Sequence, residues 1–151
     1  MKNKIFMFVI IFIIIFSTGC SRAKFNGIPN GYIESYEYYD EEGFMDYDDF
    51  AIYVYDSKSL FVENKSYDKV GKDDIENIKG YFLTLANRLN DDDRLGNFIF
   101  DYEIIDEKDY VRIKTKKGEP IGDSEYGKYD CYDVWFFDVD SLTLYYIHSN
   151  T

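Results

Sequence analysis

The spacing of apolar residues changes several times along the 151-residue chain, and each change predicts an element. Ile5–Phe16 is an unbroken apolar run. Tyr32–Tyr39 reads as a first strand: Ile33, Tyr36, Tyr38 and Tyr39 favour extended backbone, although Glu34 and Glu37 interrupt the alternation. An acidic turn around Gly43, Asp40–Asp49, leads to a second strand, Phe50–Tyr55. There Phe50, Ile52 and Val54 share one face and Ala51, Tyr53 and Tyr55 the other. A turn at Asp56–Ser59 precedes a brief apolar run, Leu60–Glu63, expected to pair as a short strand.

The period then becomes helical. Ile75, Ile78, Phe82, Leu85 and Leu89 fall three and four apart and make one stripe, which predicts a helix over Asp73–Leu89. Asp73, with Glu76 three residues later, fits a capping box at its start. One apolar stripe suits a helix lying across a sheet, with its other side in water. Four more strands are expected: Phe98–Ile105, Tyr110–Lys116, Tyr129–Asp138 and Leu142–His148. Asp106–Asp109 and Val139–Ser141 suit hairpin turns, and Lys117–Lys128, with three glycines and Pro120, reads as a loop. Successive strands on short connections are antiparallel neighbours as a rule. The expected fold is therefore α+β, an antiparallel sheet of about six strands curled around one helix, in the order β-β-(β)-α-β-β-β-β. In outline this resembles the cystatin-like and NTF2-like folds, a likeness of layout that implies no function.

The first twenty residues carry the most specific signal. Lys2 and Lys4 precede the 12 apolar residues Ile5–Phe16, and the small residues Ser17, Thr18 and Gly19 lead to Cys20. A membrane-spanning helix needs about 20 apolar residues. A basic start, a short apolar run and small residues before a cut describe an export signal. Ser17-Thr18-Gly19-Cys20 resembles the lipobox of bacterial lipoproteins, with Ser17 where that family usually has Leu. The resemblance implies thioether lipidation of Cys20, cleavage between Gly19 and Cys20, and further acylation, which anchors stably once two or more chains are attached. The implied organisation is a signal peptide over residues 1–19, the lipidated cysteine and a tether over 20–31, and one domain over 32–151. The implied place is the extracytoplasmic face of the cell membrane.

Charge narrows the partners. The chain holds 17 Lys+Arg against 29 Asp+Glu, a net −12. Cleavage removes Lys2 and Lys4 and no acid, which leaves 15 against 29, a net −14. Nucleic-acid binding needs a basic footprint, so it is not expected. Electrostatic attraction to anionic lipid heads is not expected either; the membrane contact runs through the lipid on Cys20. With Cys20 lipidated, Cys131 has no second cysteine in the chain to pair with. Cys131 alternates in phase with Asp133, Trp135 and Phe137 and is read as a small core residue.

Candidate chemistry is sparse. His148 is the sole imidazole, and no Gly-x-Ser-x-Gly elbow accompanies it, so a core or structural role is expected. Acids crowd the turn before the second strand, where Asp46, Asp48 and Asp49 are a weak calcium candidate without the EF-hand pattern. Asp138 is expected to serve the last hairpin turn through its own backbone. Paired carboxylates could cleave glycans, but no spacing singles out a pair. The more distinctive feature is tyrosine: Tyr32, Tyr36 and Tyr38, with Tyr53, Tyr55 and Tyr145, could line the sheet face that the helix leaves open. Such rings give contact area at low entropy cost; equally, they could brace the sheet by cross-strand pairing. The expectation is a non-catalytic acidic binding domain without cofactor or resident metal, for a protein, peptide or glycan partner. The alternative is an inhibitor or immunity-type lipoprotein that blocks a basic extracytoplasmic enzyme.

Overall fold

The computed structural model describes residues 25, 27–39, 47–91, 100–115 and 129–150. Residues 1–24, on which the expected signal peptide and the Gly19–Cys20 cleavage fall, and the expected loop Lys117–Lys128 lie outside them. The chain divides into two units, Met1–Asn30 and Gly31–Thr151, and the sheet and helices described below belong to the second.

Six antiparallel strands form one open sheet: β1 (Glu34–Tyr38), β2 (Tyr47–Val54), β3 (Asp68–Lys69), β4 (Tyr110–Thr115), β5 (Cys131–Asp138) and β6 (Thr143–Asn150). Their spatial order is β1-β2-β6-β5-β4-β3, which leaves β1 and β3 at the edges. One turn of helix, α1 (Ser59–Val62), follows β2, and the main helix, α2 (Ile75–Asp91), follows β3. The fold is α+β, with an antiparallel sheet and one main helix.

The core lies between α2 and one sheet face. Cross-strand register aligns Tyr38, Phe50, Ile147, Val134 and Ile113 in one row from β1 to β4. Ile78, Phe82, Leu85 and Leu89 of the predicted stripe pack on that face, joined by Tyr81. Phe82 stacks on Phe100 with ring centroids 4.1 Å apart. The helix begins differently from the capping box expected at Asp73 and Glu76. A 3-10 turn, Lys72–Asp74, precedes it, and Asp74 Oδ2 accepts from the Gly71 N–H at 3.0 Å.

Two expected strands are not strands. Leu60–Glu63 falls on the single turn α1, whose Val62 N–H bonds Lys58 O at 3.2 Å and Glu63 N–H bonds Ser59 O at 3.1 Å. A helical turn sends Phe61 alone inward, where it stacks on Phe137 at 3.7 Å and meets Tyr55 and Tyr67 edge-on. A four-residue apolar run cannot distinguish these outcomes by period. In Phe98–Ile105 the described residues, from Phe100, include a 3-10 turn, Tyr102–Ile104, begun by Asp101 Oδ1 accepting from the Glu103 N–H at 3.0 Å. Phe100 and Ile105 are instead core plugs. The place beside β4 goes to β3, whose two residues show no alternation.

The short α1 gives the sheet a second apolar layer. Phe61 and Tyr67 cover Tyr55, Phe137 and their neighbours at one end of the face away from α2. The other end of that face holds polar groups.

Candidate functional site

The six candidate tyrosines do not share a surface. Tyr36 and Tyr38 pair with Ile52 and Phe50, on the α2 side of the sheet; Tyr38 stacks on Phe50 at 5.4 Å, and Tyr36 is exposed. Tyr145 lies on that side too, its ring 5.0 Å from Phe100. Tyr53 and Tyr55 occupy the opposite side and are buried. Tyr32 precedes β1 and packs on both, at 4.9 and 6.4 Å. Tyr53 OH donates to Glu37 Oε1 at 2.8 Å; burial, then this bond, pushes the phenol well above its ordinary range. Bracing by cross-strand rings therefore describes most of these residues.

Asp48 and Asp49 are neighbours in β2, so their side chains leave opposite faces of the sheet. Asp48 meets Arg88 of α2, and Asp49 stands in register with His148. Asp46 lies outside the described residues. Among the described residues no group of three potential ligands converges on a metal position.

Polar chemistry gathers elsewhere, at the end of the face away from α2. Register places Asp49 of β2, His148 of β6, Asp133 of β5 and Lys114 of β4 in one cross-strand row. Period two puts all four on the same side. Asp133 Oδ1 accepts from Tyr146 OH at 2.6 Å and faces His148 Nδ1 at 2.9 Å. Burial alone would raise the Asp133 carboxyl, but these two bonds, the imidazole and Lys114 together hold it below the usual carboxylate range. Tyr146 is pushed far up, by burial and by the same carboxylate, so it remains the donor. An ionised carboxylate offers no proton, so it is Nδ1 that donates to Asp133. The Tyr47 ring backs the imidazole at 5.1 Å.

A cleft of about 290 Å³ opens here, lined by Lys114 and Thr115, Cys131 and Asp133, and His148 and Asn150, among others. Its volume is close to the lower bound of small-ligand pockets and suits a single side chain, a chain terminus or one sugar ring. Cys131 Sγ lies 3.7 Å from Asn150 Oδ1, so the thiol is half-buried at this wall and not in the main core. Lys114 Nζ stands 5.7 Å from the Trp135 ring, and Arg112 lies over that ring at 4.5 Å. The cleft thus offers a cation, an oriented imidazole, an amide and a carboxylate. An imidazole oriented by a carboxylate is half of a nucleophilic triad. Among the described residues, the hydrogen-bond partner of the imidazole is Asp133.

Asp133 and His148 are fifteen residues apart, and no motif announced them. The hairpin that joins them was legible, but its register was not. It is set by a four-residue turn in which Leu142 takes a left-handed φ of 55°. As expected, Asp138 serves that turn, accepting from Asp140 N–H at 2.9 Å and Ser141 OH at 2.6 Å. No protein-family model, curated protein or solved structure matches the chain.

Proposed function

We propose that the chain is a membrane-anchored extracytoplasmic lipoprotein whose acidic α+β domain is a non-catalytic binding module for a protein, peptide or glycan partner. The anchor rests on the apolar run Ile5–Phe16 and the lipobox-like Ser17-Thr18-Gly19-Cys20. The binding role rests on one observation, the cleft between β4, β5 and β6. Its polar groups are held in place by one another, since Asp133 orients both Tyr146 and His148. Pre-positioned donors and acceptors at a concave surface favour recognition, because little ordering is needed on binding.

With one histidine in the chain, the His148 imidazole signal in an NMR spectrum is a reporter unique to the cleft. Titration with short cationic, anionic and neutral peptides and with cell-wall oligosaccharides should move that signal for one class, and His148→Gln and Lys114→Ala should each weaken its binding. Binding that leaves the signal unmoved and ignores both substitutions would sink the cleft as the site. Labelled palmitate should mark the wild type and not Cys20→Ala; equal labelling removes the anchor.

A second reading, inhibition of a basic enzyme, draws on the edge strand β1. Its exposed Glu34 and Glu37 flank Tyr36 on a chain of net −14 after the expected cleavage. Charge-steered association of that kind slows steeply with salt, whereas recognition in the cleft changes little.

A further inference from the structure

The edge of the sheet at β3 is only half covered. β3 pairs with Tyr110 and Val111 alone, although β4 continues to Thr115. Val70 N–H donates to the Asp109 carbonyl at 3.0 Å, so Asp109 turns its backbone toward the β3 side. Backbone direction alternates along a strand. Val111, Ile113 and Thr115 therefore turn the same way as Asp109, while Arg112 and Lys114 turn theirs toward Trp135 and Asp133 of β5. Among the described residues, no strand pairs with β4 on the outer side beyond Val111. The N–H and C=O of Ile113 and Thr115 thus form a row open to another strand.

The same stretch is basic on an acidic chain. Arg112 and Lys114 leave one face of β4, and both lie over the Trp135 ring, at 4.5 and 5.7 Å. Elsewhere cations find acids: Lys79, Arg88 and Lys108 each meet a carboxylate. Among the described residues, Arg112 and Lys114 form no ion pair. The acid in register with Lys114 is Asp133, whose Oδ1 is engaged by Tyr146 OH and His148 Nδ1. Lys114 and Thr115 also line the cleft, so the open edge and the cleft are continuous.

We propose that the ligand of the cleft region is an extended acidic peptide segment, which adds to the sheet as an antiparallel strand on β4 and places a carboxylate between Arg112 and Lys114. The proposal rests on the binding-module reading above and names its ligand class. A strand bonded to Ile113 and Thr115 stands opposite Lys114 in a non-hydrogen-bonded pair, with Cα atoms about 4.5 Å apart. Its residue there shares the Lys114 face, meeting Lys114 directly and Arg112 on the diagonal. A carboxylate at that position satisfies both cations, whereas a Lys or Arg is repelled. Main-chain hydrogen bonds supply the affinity, and the two cations select the sign of charge. The opposite edge, β1, carries Glu34 and Glu37 and selects against the same peptide.

The test uses the full chain in detergent and a fluorescent, end-capped octapeptide of alternating Val and Glu, read by anisotropy and by amide exchange. Binding should slow exchange at the Ile113 and Thr115 amides several-fold. The Val–Gln analogue should bind several-fold more weakly and the Val–Lys analogue not at all. Arg112→Gln should weaken the Val–Glu peptide several-fold. Thr115→Pro, which removes an outward N–H where an edge strand tolerates proline, should do the same with Tm unchanged. N-methylation of the peptide should abolish binding at alternate residues only, a result that needs no protein variant. A Val–Glu peptide that shifts the His148 signal yet ignores N-methylation and Thr115→Pro would overturn strand addition and leave the cleft standing. No binding of that peptide, or stronger binding of Val–Lys, would overturn the inference, with the oligosaccharide titration still deciding the cleft. Self-association of the chain that Arg112→Gln abolishes would make a second copy the occupant and overturn the peptide.

Discussion

Replacing Arg88 with Ala removes one side chain that ties four segments together. Arg88 lies in the last turns of α2 and reaches the far end of the sheet. Its Nη1 stands 3.4 Å from Asp48 Oδ1 on β2 and also donates to Ser149 Oγ on β6. Its Nη2 donates to Tyr129 O at 2.9 Å and stands 3.6 Å from Asp130 Oδ1, just before β5. The Asp48 side chain is only 11% exposed, so truncating Arg88 strands a nearly buried carboxylate. Stranding a buried charge costs about 3–5 kcal/mol. Because Arg88 and Asp130 are 26% and 33% exposed and partly screened, the expected loss is near the bottom of that range, about 3 kcal/mol. In a domain of this size that lowers Tm by roughly 10 °C. Urea denaturation followed by the fluorescence of Trp135, the only tryptophan, reads the loss. Adding Asp48→Ala to Arg88→Ala should restore about 1–2 kcal/mol, because the stranded charge goes with it. Arg88→Lys should fall between, since one ammonium cannot span four acceptors. A loss below about 0.5 kcal/mol, the size of an ordinary surface substitution, or strict additivity of the two Ala variants, would refute the reasoning.

Three further outcomes are expected. Phe61→Ala empties the place where Phe137 stacks at 3.7 Å and should cost about 3–5 kcal/mol in the same assay; a cost below 1 kcal/mol would mean α1 is not a structural lid. Gly80→Ala should destabilise α2 although Ala is the better helix former by about 1 kcal/mol. The new Cβ would stand 2.5 Å from Tyr129 OH, whose ring is held against Tyr81 at 4.8 Å, and Tyr129→Ala in the same chain should return Ala to its usual advantage. Asp109 is fully buried, and burial pushes its carboxyl up to about 6 even though the Val139 and Asp106 N–H groups donate to it. Folding therefore favours its protonated form, and the stability it contributes is complete below the unfolded value near 3.8 and is lost as pH rises through about 6. The stability of wild type relative to Asp109→Asn should fall between pH 4 and 7, and a flat difference would count against the shift.

Local spacing was enough for elements whose signal is periodic. The stripe from Ile75 to Leu89 fits no structure but a helix with one face buried, and the structure buries that face. Phe50–Tyr55 alternates and is a strand, and the two C-terminal strands pair across the expected turn. Spacing failed where only a few residues carry the signal. Leu60–Glu63 is four residues long, and it became a helical turn because that shape delivers Phe61 to Phe137 while leaving Leu60 and Val62 outside. β3 is two residues long and exists only because β4 offers it backbone partners.

The chain by itself determined its period changes, its acidic balance and the short apolar run that precedes Cys20, since these depend on neighbours in sequence alone. Tertiary structure decided that β6 lies between β2 and β5, and with that it decided the site. Hydrogen-bond register across three strands sets Asp49, His148 and Asp133 in one row, and no property of those residues in sequence specifies that meeting. Long-range pairing likewise divided the tyrosines between buried braces and surface, because burial depends on which element covers a face. Alternation tells only that a strand has two faces.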